Sequence, residues 1–257
     1  MGKLVITNDD GPNSPGLRAL VEGLRDLGEL LVIVPEEALG GRGKAISLPR
    51  PIKVREAGDD FYTISGTPAD AVLIALELSK PEPIDLVVSG INLGPNVGLE
   101  DFFHSGTVGA AIQASLKGIP ALAVSYAIGE GFPRPTEEQM EADLRIAAEL
   151  ASRLAKAILD LGMPEGIDII SVNVPIGADP SRIAITELLS IPFWEAVGGE
   201  GDFVVRPWPG RKPLGPRGTD MWALLNGYIS ITPIKLGLRY EKASLRAFLE
   251  EAGLPWA

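Results

Sequence analysis

Short, continuously apolar runs alternate with helical patterns from the start of the chain. Leu4-Val5-Ile6 and Leu30 to Val34 have apolar residues at successive positions, which is typical of parallel strands buried on both faces. Between these runs, apolar residues recur at the spacing of one helix face, at Leu17, Leu20, Val21, Leu24 and Leu27. The pattern predicts a strand–helix–strand unit with two parallel strands.

The same alternation continues to about residue 175. It predicts strands at Leu86 to Val88, Ala121 to Ser125 and Asp168 to Val172, and helices at Pro68 to Leu78, Thr107 to Lys117 and Glu137 to Leu161. Residues 45–64 read as short extended pieces. We therefore expect an α/β fold over residues 1–175: a Rossmann-like, three-layer arrangement with a parallel sheet between helices.

The pattern changes beyond this predicted core. Short β-like runs appear at Ile183 to Ile185 and at Tyr228 to Thr232, and a segment rich in Pro, Gly and Arg runs from Pro207 to Arg217. A last helix is predicted near Ser244 to Glu251. We expect residues 176–257 to form a β-rich extension that is not an independent domain and that is used in oligomer contacts.

Composition excludes several kinds of chemistry. The 257 residues include no Cys and one His, which excludes thiol catalysis, disulfides and a zinc site built from several histidines. The net charge of −11 disfavours polymeric nucleic acid as a partner, because polyanion binding needs a basic surface. Uncharged stretches such as Gly118 to Gly129 are too short to cross a membrane. We expect a cytoplasmic protein without a membrane partner.

Three polar segments follow or open the predicted elements. Asn8-Asp9-Asp10-Gly11 comes directly after the first strand, and residues 89–96 come directly after Leu86 to Val88. A third segment, residues 104–109, opens a helix. Ligands of open parallel sheets bind at the carboxyl ends of the strands, so these segments are expected to meet there.

The first two segments carry oxygen ligands for a metal. Asp9 and Asp10 lie where the backbone turns, so both carboxylates can converge on one divalent cation that relieves their repulsion. Asn92 adds an amide oxygen. Oxygen ligands select Mg²⁺ or Mn²⁺, and Ca²⁺ can occupy such a site without supporting fast chemistry. The alternative, a solvated Asp-Asp-Gly turn, stays open at this point.

The third segment has the features of a phosphate cradle. Backbone N–H groups at a helix N-terminus bind anions, Ser105 and Thr107 add hydroxyl donors, and Gly106 permits close approach. The same residues also fit simple helix capping. A hard cation beside an anion cradle is typical of phosphate-ester hydrolysis, in which a carboxylate such as Asp9 or Asp10 accepts a proton from the attacking water.

Three further side chains are candidates for a role in the site. For each of them, a purely structural explanation is the alternative. His104, the only histidine, is placed to assist the leaving group, although a lone histidine is more often structural. Arg42 and Lys44 lie in a glycine-rich loop after the second strand, where they either bring positive charge to a phosphate or are simply solvated.

Ordered motifs over most of the chain resemble the SurE family (survival protein E), whose members are metal-dependent nucleoside monophosphate phosphatases. The similar segments are residues 5–11 with 16–20, Gly66-Thr67-Pro68-Ala69-Asp70, residues 88–96, residues 105–111 and residues 227–233. The resemblance implies a divalent metal at Asp9, Asp10 and Asn92. It implies hydrolysis of nucleoside 5′- or 3′-monophosphates, with broad acid phosphatase activity in some members, and a homodimer or homotetramer joined by an exchanged C-terminal arm.

The resemblance also implies phosphate contacts. These come from Asn96, Ser105, Gly106 and Thr107, and Asn8 in the first motif joins the candidate substrate-binding residues. One position departs from the family pattern, because Gly40 stands where the family has a serine that contributes to the metal site. Two outcomes stay open: a backbone carbonyl or a water fills the position, or the metal affinity is lower.

Two alternatives to a metal-dependent phosphatase follow from the same residues. A non-catalytic sensor of phosphorylated ligands would keep the pocket and lose turnover together with the serine. A phosphoaspartyl phosphatase is less favoured, because its carboxylates are usually spaced as Asp-x-Asp and here they are adjacent.

Overall fold

Nine strands form one mostly parallel sheet in the computed structural model, which describes residues 2–129, 132–192, 194–199, 201–207, 215–237 and 241–254. The strands of this sheet are β1 (Gly2–Thr7), β2 (Gly28–Pro35), β3 (Val54–Gly58), β4 (Phe61–Ile64), β5 (Leu86–Leu93), β6 (Ala121–Tyr126), β7 (Ile169–Val174), β8 (Ile183–Ile185) and β11 (Ile229–Ile234). A separate antiparallel pair consists of β9 (Trp194–Gly199) and β10 (Asp202–Pro207). The helices are α1 (Pro15–Leu24), α2 (Pro68–Leu78), α3 (Gly98–His104), α4 (Gly106–Ser115), α5 (Glu137–Leu161), α6 (Asp220–Leu225) and α7 (Lys242–Glu251).

The strand order confirms the predicted Rossmann-like α/β class. It runs β3-β4-β2-β1-β5-β6-β7-β11-β8. The strands from β4 to β7 in this order pair in parallel, whereas β3 joins β4 and β11 joins β7 in antiparallel pairs. The carboxyl ends of β1 and β5, which are neighbours near the centre, are therefore on the same edge of the sheet.

Helices cover both faces of the sheet and form two apolar layers. Leu4 of β1 packs with Leu17 of α1 and Leu144 of α5, whereas Val5 faces Val72 of α2 and the residues of α4. Successive residues of a strand point to opposite faces, so a central strand needs apolar residues at every position. This requirement explains the continuous runs in the sequence.

Two helices have the bounds that the sequence predicts. Helix α5 covers the predicted range, and Thr136 caps it by accepting the N–H of Gln139 at 3.2 Å. Helix α2 also covers its predicted range, with a complete capping box between Thr67 and Asp70 and Pro68 in its first turn. Local capping chemistry therefore determines these ends.

Three elements at the second and third polar segments differ from the prediction. Strand β5 continues to Leu93 and thus includes residues that were expected to follow it, because the ladder to β6 resumes at Asn92 after an irregularity. Helix α3 was not predicted, and helix α4 begins at Gly106 and ends at Ser115. Much of the second polar segment, residues 89–96, thus belongs to strand β5. The third segment, residues 104–109, belongs mostly to helices α3 and α4.

The C-terminal part adds β8 and β11 to the main sheet and leaves other elements exposed. Val204 and Val205 on β10 are exposed, and α7 buries none of its residues. Residues 208–214, inside the predicted Pro-, Gly- and Arg-rich segment, lie outside the described residues. Among the described helices, none is long and apolar enough to cross a membrane.

Candidate functional site

The three polar segments meet at the carboxyl ends of β1 and β5. The Thr107 hydroxyl donates to Asp9 Oδ1 at 2.5 Å, and the N–H of Gly106 also donates to the Asp9 carboxylate. Asp10 Oδ2 accepts the N–H of Leu93 at 3.0 Å. The adjacent carboxylates thus diverge in their protein contacts, one toward the first turn of α4 and the other toward the end of β5.

Burial perturbs both carboxylates. Asp9 is only 4% exposed, and this burial raises its pKa, with a further upward contribution from Asp10 that the bonds from Thr107 and Gly106 oppose. Burial also raises the pKa of Asp10, against the bond from Leu93. The groups that donate to these two carboxylates are uncharged N–H and O–H groups, so the pair forms a site that favours a cation.

The oxygen atoms around this pair fit a hard divalent cation. Asn92 Nδ2 donates to the carbonyl oxygen of Gly94 at 2.8 Å, so its Oδ1 is the acceptor left for a ligand. Within the described ranges, no group of three or more His, Cys, Asp and Glu side chains gathers. The candidate ligand set is therefore two carboxylates and one amide, which suits Mg²⁺ or Mn²⁺ and not a soft metal.

Asn8 closes the turn that presents the two aspartates. Its Nδ2 donates to the carbonyl oxygen of Gly11 at 3.0 Å, and its Oδ1 accepts the N–H of Gly11 at 3.2 Å. Gly11 has a φ of +88°, which a glycine adopts without strain. The amide of Asn8 therefore shapes the turn, and its contact with a substrate stays a prediction.

The start of α4 holds a carboxylate in the place where the sequence predicts a phosphate. Ser105 is the N-cap residue, and its Oγ accepts the N–H of Val108 at 3.0 Å. Gly106 and Thr107, the other predicted donors, are bonded to Asp9. The hydroxyl proton of Ser105 remains available for an anion, because its oxygen acts here only as acceptor.

Asn96 is fixed by two residues that the sequence analysis did not single out. Its N–H donates to Asn173 Oδ1 at 2.8 Å and its Nδ2 donates to Ser125 Oγ at 2.8 Å, while Asn173 Nδ2 donates back to its carbonyl oxygen at 3.2 Å. Ser125 and Asn173 lie near the ends of β6 and β7. A polar residue near the end of an apolar run was the signal that could have indicated them.

Comparison with known proteins decides the family. The family model described as "Survival protein SurE" matches residues 4–193, which include every candidate residue above. The chain belongs to the SurE family.

Named relatives in the SurE family are similar over most of the chain. A protein called "5'-nucleotidase SurE" from Methanothermobacter thermautotrophicus is 41% identical over 190 residues, which cover 72% of each chain. Another protein with that name, from Thermofilum pendens, is 35% identical and covers 97% of both chains. The crystal structure of the SurE protein from Aquifex aeolicus has a TM-score of 0.78 and 31% identity, and it covers 97% of this chain and 99% of its own.

Gly40, where the resemblance implies a serine, is exposed and has room for a side chain. A Cβ built on Gly40 meets no atom within 4 Å. The preceding residue, Leu39, donates its N–H to the carbonyl oxygen of Asp9 at 2.7 Å, so this loop is attached to the site by its backbone. The missing hydroxyl is therefore not the result of a steric conflict.

The remaining candidates surround the site. His104 is exposed at the end of α3, and its ring lies edge-on to Trp194 with centroids 6.1 Å apart. Arg42 is exposed and Lys44 is half-buried, on either side of Gly43, whose N–H donates to the carbonyl oxygen of His104 at 2.7 Å. These contacts bring the glycine-rich loop and α3 together beside the start of α4.

Helix α3 is bound to the C-terminal part of the chain by carboxylates. Asp220 accepts the N–H of Gly98 at 2.7 Å, and Asp101 Oδ1 accepts Nε1 of Trp194 at 2.6 Å. Burial raises the pKa of Asp101 to about 7; the bond from Trp194 lowers it, and the charges of Glu100 and Asp220 raise it further. The helix that leads into α4 thus carries a carboxylate that is costly to ionise.

Proposed function

We propose that this chain hydrolyses nucleoside monophosphates to nucleoside and phosphate with the help of a divalent cation. The observation that carries the proposal is the buried Asp9 carboxylate, seated against the first turn of α4 and next to Asp10. The names of the SurE relatives support 5′-nucleotides as substrates. Activity on 3′-nucleotides and a broader acid phosphatase activity are further parts of the proposal.

In this proposal, Asp9, Asp10 and Asn92 hold Mg²⁺ or Mn²⁺. The cation supplies Lewis-acid polarisation of a phosphoryl oxygen and a more acidic water. The side chains contribute separately, because the bonds from Thr107 and from the N–H of Leu93 hold Asp9 and Asp10 in place, where one of the two carboxylates accepts the proton of the attacking water. Gly40 contributes no side chain to this set.

The phosphate-binding groups of the proposal are Ser105, Asn96, Gly106 and Thr107. Ser105 has a hydroxyl proton to donate at a helix N-terminus, and Asn96 is held rigid at the neighbouring strand ends. Thr107 and Gly106 orient Asp9, so their effect on the phosphate is partly indirect. His104, exposed beside this turn, is the candidate proton donor to the leaving group.

A phosphate-release assay tests the proposal. Nucleoside 5′- and 3′-monophosphates and p-nitrophenyl phosphate are incubated with the protein in EDTA, and Mg²⁺, Mn²⁺ or Ca²⁺ is then added back. We expect no release in EDTA, restored release with Mg²⁺ or Mn²⁺, and little with Ca²⁺. A folded protein that binds nucleotide in the presence of metal but releases no phosphate would instead support a ligand sensor, the alternative that Gly40 favours.

We also propose that the chain forms a homodimer or homotetramer through residues 176–257, and that these residues are not an independent domain. Exposed apolar residues on β10, Phe203 and Val205, support an interface, and the pairing of β11 with β7 supports a shared fold. The double variant Phe203→Ser/Val205→Ser is expected to shift the mass in light scattering toward the monomer. Leu161→Ser, which changes an 86% exposed leucine on α5, is the control and should leave the mass unchanged.

Two expectations from composition stay predictions. A cytoplasmic location and the lack of polymeric nucleic acid as a partner rest on the sequence and on the net charge of −11.

A further inference from the structure

A five-residue loop bridges two parts of the candidate site. Residues 39–43, Leu-Gly-Gly-Arg-Gly, are called the arch below. At its first residue, the N–H of Leu39 donates to the carbonyl oxygen of Asp9 at 2.7 Å. At its last residue, the N–H of Gly43 donates to the carbonyl oxygen of His104 at 2.7 Å, one residue before the N-cap of α4. Both ends of the arch are thus hydrogen-bonded to residues of the site.

Close backbone packing keeps the second end of the arch against α4. A Cβ built on Gly109, in the first turns of α4, would lie 2.7 Å from the carbonyl oxygen of Gly43 and 2.9 Å from Cα of Lys44. A Cβ on Gly43 would lie 2.6 Å from the carbonyl oxygen of Phe103. The backbone of Gly43 therefore packs directly against α4. Arg42 is the preceding residue, and its Cα is about 3.8 Å from the Cα of Gly43.

Arg42 is the only charged residue of the arch, and no carboxylate of the described residues forms an ion pair with it. It is exposed, and the ion pairs of the described residues in this region join Arg55 to Glu36 and do not include Arg42. Residues 38–49 contain two basic residues, Arg42 and Lys44, and no acidic one, in a chain with a net charge of −11. This local excess of positive charge borders the site of Asp9 and Asp10, where it attracts an anionic substrate.

The start of α4 also has fewer donors for a phosphate than its sequence suggests. Gly106 and Thr107 are bonded to the Asp9 carboxylate, and Gly40 offers no hydroxyl. A phosphate dianion bound there needs another donor. A guanidinium matches two phosphate oxygens with two parallel N–H bonds, which a lysine ammonium cannot do.

We propose that Arg42 binds the phosphate group of the substrate as a charged, two-bond donor and so determines the affinity of this site for phosphate monoesters. The inference rests on the proposed function in one respect, that the phosphate lies at the first turn of α4. Arg42 lies on the arch and Gly40 is two residues before it, so a guanidinium supplements a site that has no serine hydroxyl.

Two measurements on the full-length protein test the inference. Calorimetry measures the Kd of inorganic phosphate with saturating Mg²⁺, and kinetics measures KM and kcat for a nucleoside 5′-monophosphate. Arg42→Gln is expected to raise both the Kd and KM about 10-fold or more, the loss typical of one charged hydrogen-bonding group, with a smaller change in kcat. Arg42→Lys should recover part of the affinity.

Arg50→Gln is the matched control, because Arg50 is exposed and equally charged but lies outside the arch, near Ser47. It should change the Kd and KM less than twofold. If Arg42→Gln behaves like this control, or if the unaltered protein binds no phosphate, the inference is wrong. If the unaltered protein binds phosphate through Arg42 but hydrolyses no nucleotide, the inference stands and the proposed function fails.

Discussion

Replacement of Asp9 by asparagine is expected to lower kcat for phosphate release about a thousandfold, the loss expected for a positioned acid–base group. The reason is the loss of a negative charge that holds the cation in the proposed site and of a carboxylate that can accept the proton of the attacking water. The fold should survive. An asparagine amide can accept the N–H of Gly106 with its oxygen and donate to the Thr107 oxygen with its nitrogen, so both present bonds have a substitute.

Thermal unfolding and steady-state kinetics measured on the same sample distinguish a loss of turnover from a loss of folding. The Tm of Asp9→Asn should equal or exceed that of the unaltered protein, because a buried charge has been removed. Asp168→Asn is the control, since Asp168 lies before β7 at the opposite edge of the sheet and pairs with Lys235. Asp9 has no role in turnover if Asp9→Asn keeps the kcat of this control.

The parts of the fold that sequence predicts well are those with local causes. Helix α2 carries its own capping box, and helix α5 combines a capping threonine with a long apolar stripe. The central strands are predictable because burial on both faces forces apolar residues at every position. None of these signals depends on a distant part of the chain.

Helix α3 shows why the rest is not predictable. Its seven residues have no repeating apolar stripe, and its first turn is held from far along the chain. The N–H of Gly98 donates to Asp220, which is 122 positions away, and the N–H of Leu99 donates to the carbonyl oxygen of Leu189. A pattern of neighbouring residues contains no information about such bonds.

The candidate site was predictable in its members and not in their mutual contacts. Sequence places Asp9 after a strand and Ser105 to Thr107 before a helix, and topology brings them together. It does not show that Gly106 and Thr107 bind the Asp9 carboxylate, because a helix N-terminus attracts a carboxylate and a phosphate for the same electrostatic reason. Only the three-dimensional packing decides between them.

Asp101→Asn is expected to stabilise the protein at alkaline pH and to change its stability little near pH 4. Asp101 has an ordinary pKa of 3.8 when unfolded and a pKa of about 7 in the folded protein. The folded state therefore binds the proton more tightly, so stability falls as pH rises between these values and the penalty is complete above pH 7. Asparagine does not ionise, and its Oδ1 can still accept Nε1 of Trp194.

The shift of the Asp101 pKa from 3.8 to about 7 corresponds to a loss of about 4 kcal/mol in the free energy of unfolding. Partial solvent access to Asp101 reduces the stabilisation expected in Asp101→Asn to about 2–4 kcal/mol. Urea unfolding of both proteins from pH 4 to pH 9 measures it. Asp168→Asn is the control, because the hydrogen bond from Lys235 lowers the pKa of Asp168 below 3.8, so the stability that this variant loses should stay nearly constant across this pH range. The difference in free energy of unfolding between Asp101→Asn and the unaltered protein should therefore change with pH. A difference that stays constant would show that Asp101 ionises in the folded protein as freely as in the unfolded chain. Burial and the negative charges of Glu100 and Asp220 would then not raise the pKa of Asp101 in helix α3.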